Sequence, residues 1–387
     1  MTTKQRNTVT GTARKLRAAF LGGAYSSAAG RLHRAAVEMD QRYELVAGCF
    51  SRNSATNRDS ALQYGIASER TYGSLDALLA AEMGNIDTII ILTPTGQHKS
   101  QVLRCLNAGI PVICEKALAT STDEASEIEE QLRQGGFLAV TYNYTGYPMV
   151  RELKRMLEQG RLGKIQQIHV EMPQEGFVRV NREGAPIVPQ EWRLHDGKIP
   201  TISLDLGVHL HMLVRFLCGE KPISVVATSD SFGNFAQIID NVSCLARYTN
   251  NINCNIWFSK TALGQRNGMK VRVYGRTGSA EWLQEAPEYL HLADNQGRRF
   301  VVDRASGEVE VCNQIRYTRF KAGHPTGFIE AFANYYYDIA DVLHLYLETR
   351  SSPTNSYVFG IEETLEGFRL FDAIAESSVS QRWIDVQ

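Results

Sequence analysis

The sequence predicts an α/β protein in two parts. A doubly wound parallel sheet comes first, and an α+β domain on a large, mostly antiparallel open sheet follows. Three observations carry this reading. Between residues 17 and 145, apolar runs alternate with helix-like segments, the rhythm of a parallel sheet with helices on both faces. One such run, Ile86–Thr93, is continuously apolar, as expected of a strand covered on both sides. Beyond residue 145 strand-like runs succeed one another, and Val242, Cys244, Ala246 and Tyr248 recur at every second position, as in a sheet with one covered face.

In chain order, residues 1–16 are polar, with Lys4, Arg6, Arg14 and Lys15 and no acid among them, and read as a disordered tail. The strand 17–21 runs into Gly22-Gly23-Ala24 and then a helix through Leu32, Ala35, Ala36 and Met39. Strand, glycine turn and helix make an arrangement that cradles a pyrophosphate, although the spacing is not G-x-G-x-x-G and an unliganded tight turn would also use glycines. The second strand, 43–50, ends in Phe50-Ser51-Arg52-Asn53. An acid gripping a ribose 2′-hydroxyl is expected about twenty residues beyond the turn. None stands there, and Ser51 beside Arg52 could suit a 2′-phosphate, so NAD and NADP both stay open.

Helices follow at 54–64 and 74–82, then the strand 86–93 with its hydrogen-bonding loop Thr93-Pro94-Thr95-Gly96-Gln97-His98, and the helix 98–108. Val112-Ile113-Cys114-Glu115-Lys116 places a lysine at a strand's carboxyl end, where open parallel sheets bind ligands. The alternative is a surface ion pair. The helix 121–134, capped by Ser121/Thr122, and the strand 137–142 complete the first part, 17–145, read as a dinucleotide-binding domain. The second, 146–387, holds a helix at 149–158, strands at 165–172, 223–230, 238–248, 252–258, 269–275, 278–283, 288–293 and 299–303, and closing helices at 326–347 and 359–377. Within it, a helix from Asp205 onward sets Asp205 and His209 four residues apart on one face, with Gly207 leaving room for a ligand. The competing reading makes Asp205 a helix cap and His209 a satisfied core histidine. His211 points elsewhere and reads as structural, and His33 and His98 as packing or capping groups.

Bulk composition narrows the classes. The 387 residues carry Lys+Arg 41 against Asp+Glu 42, a net −1, which argues against a nucleic-acid partner. No apolar run reaches the ~18 residues that span a bilayer, and the N-terminus lacks a signal peptide's apolar core, so a cytoplasmic protein without a membrane partner is expected. Seven scattered cysteines without a CxxC pair read as buried free thiols. No metal is expected, since no further His or carboxylate stands at ligand spacing from Asp205 and His209.

From residue 17 to 387 the chain resembles the glucose–fructose oxidoreductase/inositol dehydrogenase (Gfo/Idh/MocA) family. The resemblance rests on the Gly22-Gly23 turn, Thr93-Pro94 with His98, Cys114-Glu115-Lys116 and Asp205-x-Gly207-x-His209. Tyr43–Gly48, Thr141–Pro148, Trp192-Arg193 and Gly323–Gly327 are similar to the branch that includes scyllo-inositol dehydrogenases acting also on pyranoses. It implies a Rossmann cofactor domain and a substrate-binding and oligomerisation domain. The implied activity is carbohydrate metabolism: NAD(P)-dependent hydride transfer to or from a secondary hydroxyl of a cyclic polyol or sugar, with NAD(H) favoured over NADP(H).

The resemblance also implies roles. Lys116, Asp205 and His209 form the catalytic triad. Gly22, Gly23, Ala24, Ser51, Arg52, Thr93, Pro94, His98, Glu115 and Lys116 meet the cofactor, and Tyr144, Arg193 and His324 join the triad around the substrate. Copies associate through the sheet faces as a homo-oligomer, dimer or tetramer. Three departures stand out: Lys116-Ala117 replaces the family's Lys-Pro, Pro200–Leu204 replaces a small, glycine-rich approach to Asp205, and the glycine turn has longer spacing. Two other classes share the pattern: a same-fold lyase or hydrolase that cycles bound NAD internally, and a non-catalytic cofactor-binding protein. Which sugar or inositol, which carbon and which direction are not encoded in a recognisable signal.

Overall fold

A computed structural model describes residues 14–351 and 355–387. The tail expectation for residues 1–13 lies outside them. Its last residues are ordered: Arg14 donates to both oxygens of Asp87 (2.6 and 2.9 Å), and the first strand begins at Leu16.

The first part runs β1 (Leu16–Gly22), α1 (Ala28–Met39), β2 (Tyr43–Cys49), α2 (Ser54–Tyr64), α3 (Leu75–Glu82), β3 (Thr88–Leu92), α4 (His98–Asn107), β4 (Val112–Cys114), α5 (Thr122–Arg133) and β5 (Leu138–Val140). Its five strands pair in the order β2-β1-β3-β4-β5, all parallel. Every residue of β3 is buried, the consequence of helices on both faces. Side-chain caps start the helices where the sequence offers them: Ser27 accepts from Gly30 N, Asn53 from Thr56 N and Ser121 from Glu124 N.

The second part runs α6 (Pro148–Glu158), β6 (Ile165–Pro173), α7 (Val208–Cys218), β7 (Pro222–Asp230), β8 (Asn241–Tyr248), β9 (Ile252–Ser259), β10 (Lys270–Gly275), β11 (Gly278–Leu283), β12 (Leu290–Asp294), β13 (Arg299–Val302), α8 (Phe328–Thr349), α9 (Ile361–Ser380) and a short β14 (Ile384–Asp385). Nine strands pair in the order β13-β12-β11-β10-β6-β9-β8-β7-β14. All pairs are antiparallel except β6 with β9. Val242, Cys244, Ala246 and Tyr248 face the core, as their alternation predicts, and Leu245, Trp257, Tyr274 and Val301 lie on the uncovered face.

The chain's end returns to its beginning. The helix α8 packs on α1, where Tyr43 Oη donates to Tyr336 O (3.1 Å) and Arg42 pairs with Asp341 (2.6 Å). Val140 N donates to Phe359 O (2.9 Å), continuing β5 into the segment before α9. Part of the cover on the first sheet thus comes from residues the sequence assigns to the second domain. The seven cysteines are free, and all but Cys218 are buried. No helix among the described residues is long and apolar enough to cross a membrane.

Candidate active site

A cleft of about 950 Å³ opens along the carboxyl ends of β1, β2, β3 and β4. The glycine turn forms one wall. Gly22 and Gly23 have φ of +81° and +69°, a left-handed backbone that glycine adopts without strain. A Cβ on Gly22 would stand 2.9 Å from the Leu92 carbonyl carbon. Gly30, at the far end of the glycine stretch and already in α1, has no room for a side chain: a Cβ there would lie 2.2 Å from Gly23 O, so it lets the helix seat against the turn. The first turn of α1 carries no acid, and Ser26 to Ala29 face the cleft, leaving the helix's positive end open to an anion.

Ala24, Ser51, Arg52, Thr93, Pro94, Glu115 and Lys116 line the same cleft. Two of the expected cofactor contacts act otherwise. His98 is buried, with Nδ1 2.7 Å from Ala117 O and Nε2 2.7 Å from Thr93 O. Burial lowers its pKa, and the neutral ring can donate to only one of those carbonyls. It ties the Thr93 loop to the lysine loop and does not line the cleft. The Glu115 carboxylate turns inward to accept from His33 Nε2 (3.0 Å) and Thr141 Oγ1 (2.7 Å). Burial alone would raise its pKa, but the His33 hydrogen bond, together with the His33 and Lys116 charges and Thr141, brings it down to about 2. His33 takes its other bond with Tyr336 Oη (2.6 Å), a chain of contacts that fixes the backbone next to Lys116. The Lys116–Ala117 peptide is cis.

Lys116 Nζ crosses the seam between the two parts to Asp205, donating to its backbone carbonyl (2.8 Å) and lying 3.2 Å from Oδ1. Arg193 reaches Oδ2 at 2.5 Å while its guanidinium stacks over Trp192. Lys260, at the end of β9, reaches Oδ2 at 2.7 Å and donates to Gln174 Oε1 (3.2 Å). Nothing local in the sequence marks Lys260, because it meets Asp205 only in the folded chain. Burial would raise the Asp205 pKa, but Lys116, Lys260 and Arg193 outweigh burial and hold it far below the carboxylate range.

The helix expected from Asp205 begins earlier, at Thr201, and passes through a π turn, Ser203–Gly207, before continuing as α7. Such turns cluster at functional sites. Asp205 is therefore not a helix cap. Gly207 does not make room for a ligand: a Cβ there would stand 2.9 Å from the Phe371 ring and 3.2 Å from Phe258, so its smallness serves core packing. His209 is buried, its Nδ1 has no hydrogen-bond partner among the described residues, and burial together with the Lys116 charge lowers its pKa to about 3. The ring is neutral at ordinary pH and is not the satisfied core histidine of the competing reading.

The Tyr144 ring meets His209 edge-on at 4.8 Å, and its hydroxyl accepts from Asn267 Nδ2 (3.0 Å). Asn267 in turn accepts from Gln174 (2.7 Å), closing a polar line from Tyr144 back to Lys260. His324 is not brought to this site. It is exposed on the loop before α8, its ring beside Phe320 and its carbonyl held by Arg304. His211 is buried against α9, 3.6 Å from Glu366 and under Gly367, as a structural residue.

Family models match both parts of the chain. Residues 16–144 match the oxidoreductase family's NAD-binding Rossmann fold, and 150–281 its GFO/IDH/MocA C-terminal domain. The chain is 27% identical over 382 residues to the uncharacterized oxidoreductase YfiI of Bacillus subtilis, covering 96% of each. It is 27% identical over 210 residues to the scyllo-inositol 2-dehydrogenase (NAD(+)) of the same organism, covering 55% of this chain and 59% of that protein. A solved inositol dehydrogenase homologue from Azotobacter vinelandii, complexed with NADH and myo-inositol, superposes with a TM-score of 0.86 at 28% identity. The match covers 96% of this chain and 98% of that one.

Proposed function

Because the chain belongs to the Gfo/Idh/MocA oxidoreductase family, we propose that it is an NAD(P)-dependent dehydrogenase moving hydride between nicotinamide and a secondary hydroxyl of a cyclic polyol or sugar. The observation that carries this reading is Lys116 at the lip of the glycine-turned cleft, paired across the seam with Asp205 one helical turn from a neutral, unpartnered His209. The cleft's left-handed glycines and acid-free helix start fit a dinucleotide pyrophosphate.

A bound nicotinamide supplies or accepts the hydride. The chain's own residues handle the proton and the charge. His209, neutral, accepts the hydroxyl proton as general base. Lys116 donates to the same oxygen and stabilises its developing negative charge, which a buried cation does more strongly than one in water. Asp205, kept ionised by three cations, holds Lys116 in place and accepts from a neighbouring substrate hydroxyl. Tyr144 fixes the plane of the His209 ring, and Arg193, stacked on Trp192, closes the substrate side. We place the interface between copies on the uncovered sheet face, where Leu245, Tyr274 and Val301 are exposed, so light scattering after gel filtration should return a dimer or tetramer.

The test is reduction of NAD⁺ or NADP⁺ by the purified protein across a panel of inositols and pyranoses, with NADH binding measured alongside. Turnover with one polyol supports the reading. Cofactor that stays bound through purification with no net reduction would favour internal cycling instead.

A further inference from the structure

Three cations meet the one Asp205 carboxylate at the seam, and the nearby Glu115 carboxylate, which feels the Lys116 charge, is taken up by hydrogen bonds with His33 and Thr141. Lys116, Arg193 and Lys260 all lie within 3.2 Å of Asp205 oxygens, and among the described residues none of the three pairs with any other acid. The acid next to Gln174, Glu175, is turned to Arg266 (3.3 Å) and Arg179 (3.8 Å), and Glu191 is exposed. Lys260 is only 4% exposed. An ammonium buried that deeply is costly unless an anion shares it, and Asp205 is shared three ways.

Next to these cations lies a second hollow of about 350 Å³, lined by Gln174, Phe177, Ile187, Gln190, Arg193 and Lys260. Gln190 and Arg193 also line the main cleft, so the hollow opens beside it. It offers two cations, two amide side chains and an aromatic ring, with the Lys260 ammonium over Phe177 at 5.4 Å. Guanidinium and ammonium donors with flanking amides are the groups that bind an oxyanion.

We propose that the substrate carries an anionic group, a carboxylate or a phosphate on its polyol ring, and that this group seats between Lys260 and Arg193. The proposal rests on the dehydrogenase reading above and adds the substrate's charge to it. On binding, the ligand's oxyanion shares the two cations with Asp205, and the reacting hydroxyl is left at the Lys116 and His209 end. Lys260 is thereby a specificity residue.

The experiment compares neutral and anionic ring compounds: glucose with glucuronate and glucose 6-phosphate, and myo-inositol with the cyclic carboxylate quinate. Turnover with NAD⁺ and NADP⁺ is measured for the wild type, Lys260→Gln and Lys260→Arg, together with binding of each compound to the NADH complex by thermal shift. An anionic member should exceed its neutral partner in kcat/KM by about tenfold or more, the scale of one charge-assisted hydrogen bond. Lys260→Gln should raise KM for the anion at least about tenfold more than for the neutral partner, and Lys260→Arg should restore most of that difference. A carboxylate preferred over the phosphate, or the reverse, names the source.

Neutral compounds matching or exceeding both anions, or a Lys260→Gln variant that slows charged and neutral substrates alike, would overturn the proposal and reduce Lys260 to a positioning partner of Asp205. If the NADH complex binds an anion through Lys260 but no member of the panel is oxidised with NAD⁺ or NADP⁺, the binding proposal stands and the dehydrogenase reading fails. If it binds no anion, the proposal fails whatever the turnover.

Discussion

Lys116 and Asp205, 89 residues apart in sequence, meet across the domain seam, the ammonium donating to both the backbone carbonyl (2.8 Å) and the carboxylate (3.2 Å) of the aspartate. The contact joins the end of a parallel strand to a π turn in the other part of the chain, so the two parts must be docked for the site to exist.

Replacing Lys116 with Met removes the cation from that seam while keeping most of its length. With the substrate found by the panel, kcat should fall about 10²–10³-fold, the usual cost of losing one group that stabilises developing charge. NADH binding by fluorescence should stay within about threefold, since the proposed pyrophosphate site lies elsewhere, at the glycine turn. A kcat within about tenfold of wild type, ~1.4 kcal/mol of barrier, would sink the catalytic role.

His209→Asn removes the proposed base. Turnover should drop about 10²–10⁴-fold while the circular dichroism spectrum is retained. Because burial and Lys116 hold the ring pKa at about 3, the wild-type kcat/KM profile should show no histidine inflection between pH 6 and 8. An inflection there that disappears in the variant would mean that the free enzyme's ring is far more basic than its surroundings allow.

Buried histidines also set an acid limit on stability. His209 and His211 are lowered by burial to about 3 and about 4, against about 6.5 in the unfolded chain. Between those values the unfolded chain takes up the protons and the folded one does not. Their contribution is therefore intact above roughly pH 6.5 and declines as pH falls toward 4. Asp205 and Glu115, whose folded values are depressed, keep their contribution down to the unfolded carboxylate value of about 4 and lose it below. The urea midpoint should thus fall from pH 7 to pH 5, and less steeply in His211→Asn. An identical slope in the two proteins would assign the acid sensitivity elsewhere.

Gly30→Ala tests the glycine cradle from its hidden side. The new Cβ would collide with Gly23 O, forcing α1 away from the turn, at a cost of about 1–3 kcal/mol for overpacking. Thermal denaturation should show the loss, and NADH affinity should fall with it. Equal NADH affinity in a destabilised protein would separate the packing role from the cradle.

Arg52 is exposed at the end of β2, lining the cleft beside Ser51, with no acid to grip a 2′-hydroxyl. NADH should bind the wild type, and Arg52→Ala should weaken NADPH about tenfold more than NADH, because guanidinium pairs with the extra phosphate. Equal losses for both would leave Arg52 a surface residue.

The sequence alone determined the two-part architecture, since strand and helix periods are local: the continuous apolar run of β3 and the alternation of β8 each report how many of their faces are covered. It also placed Lys116, because a strand's carboxyl end is a position in the chain. Long-range packing decided the rest. Only the folded chain brings Lys260 to Asp205, and only the return of α8 and α9 gives Gly207 its neighbour Phe371 and holds His33 against Glu115. His324, which the motif pointed to, ends on an exposed loop, while His209 is buried with a free nitrogen at the seam. A residue's spacing records its place on its own helix or strand. Which distant element closes over it depends on how whole faces exclude water, and no single stretch of sequence carries that information.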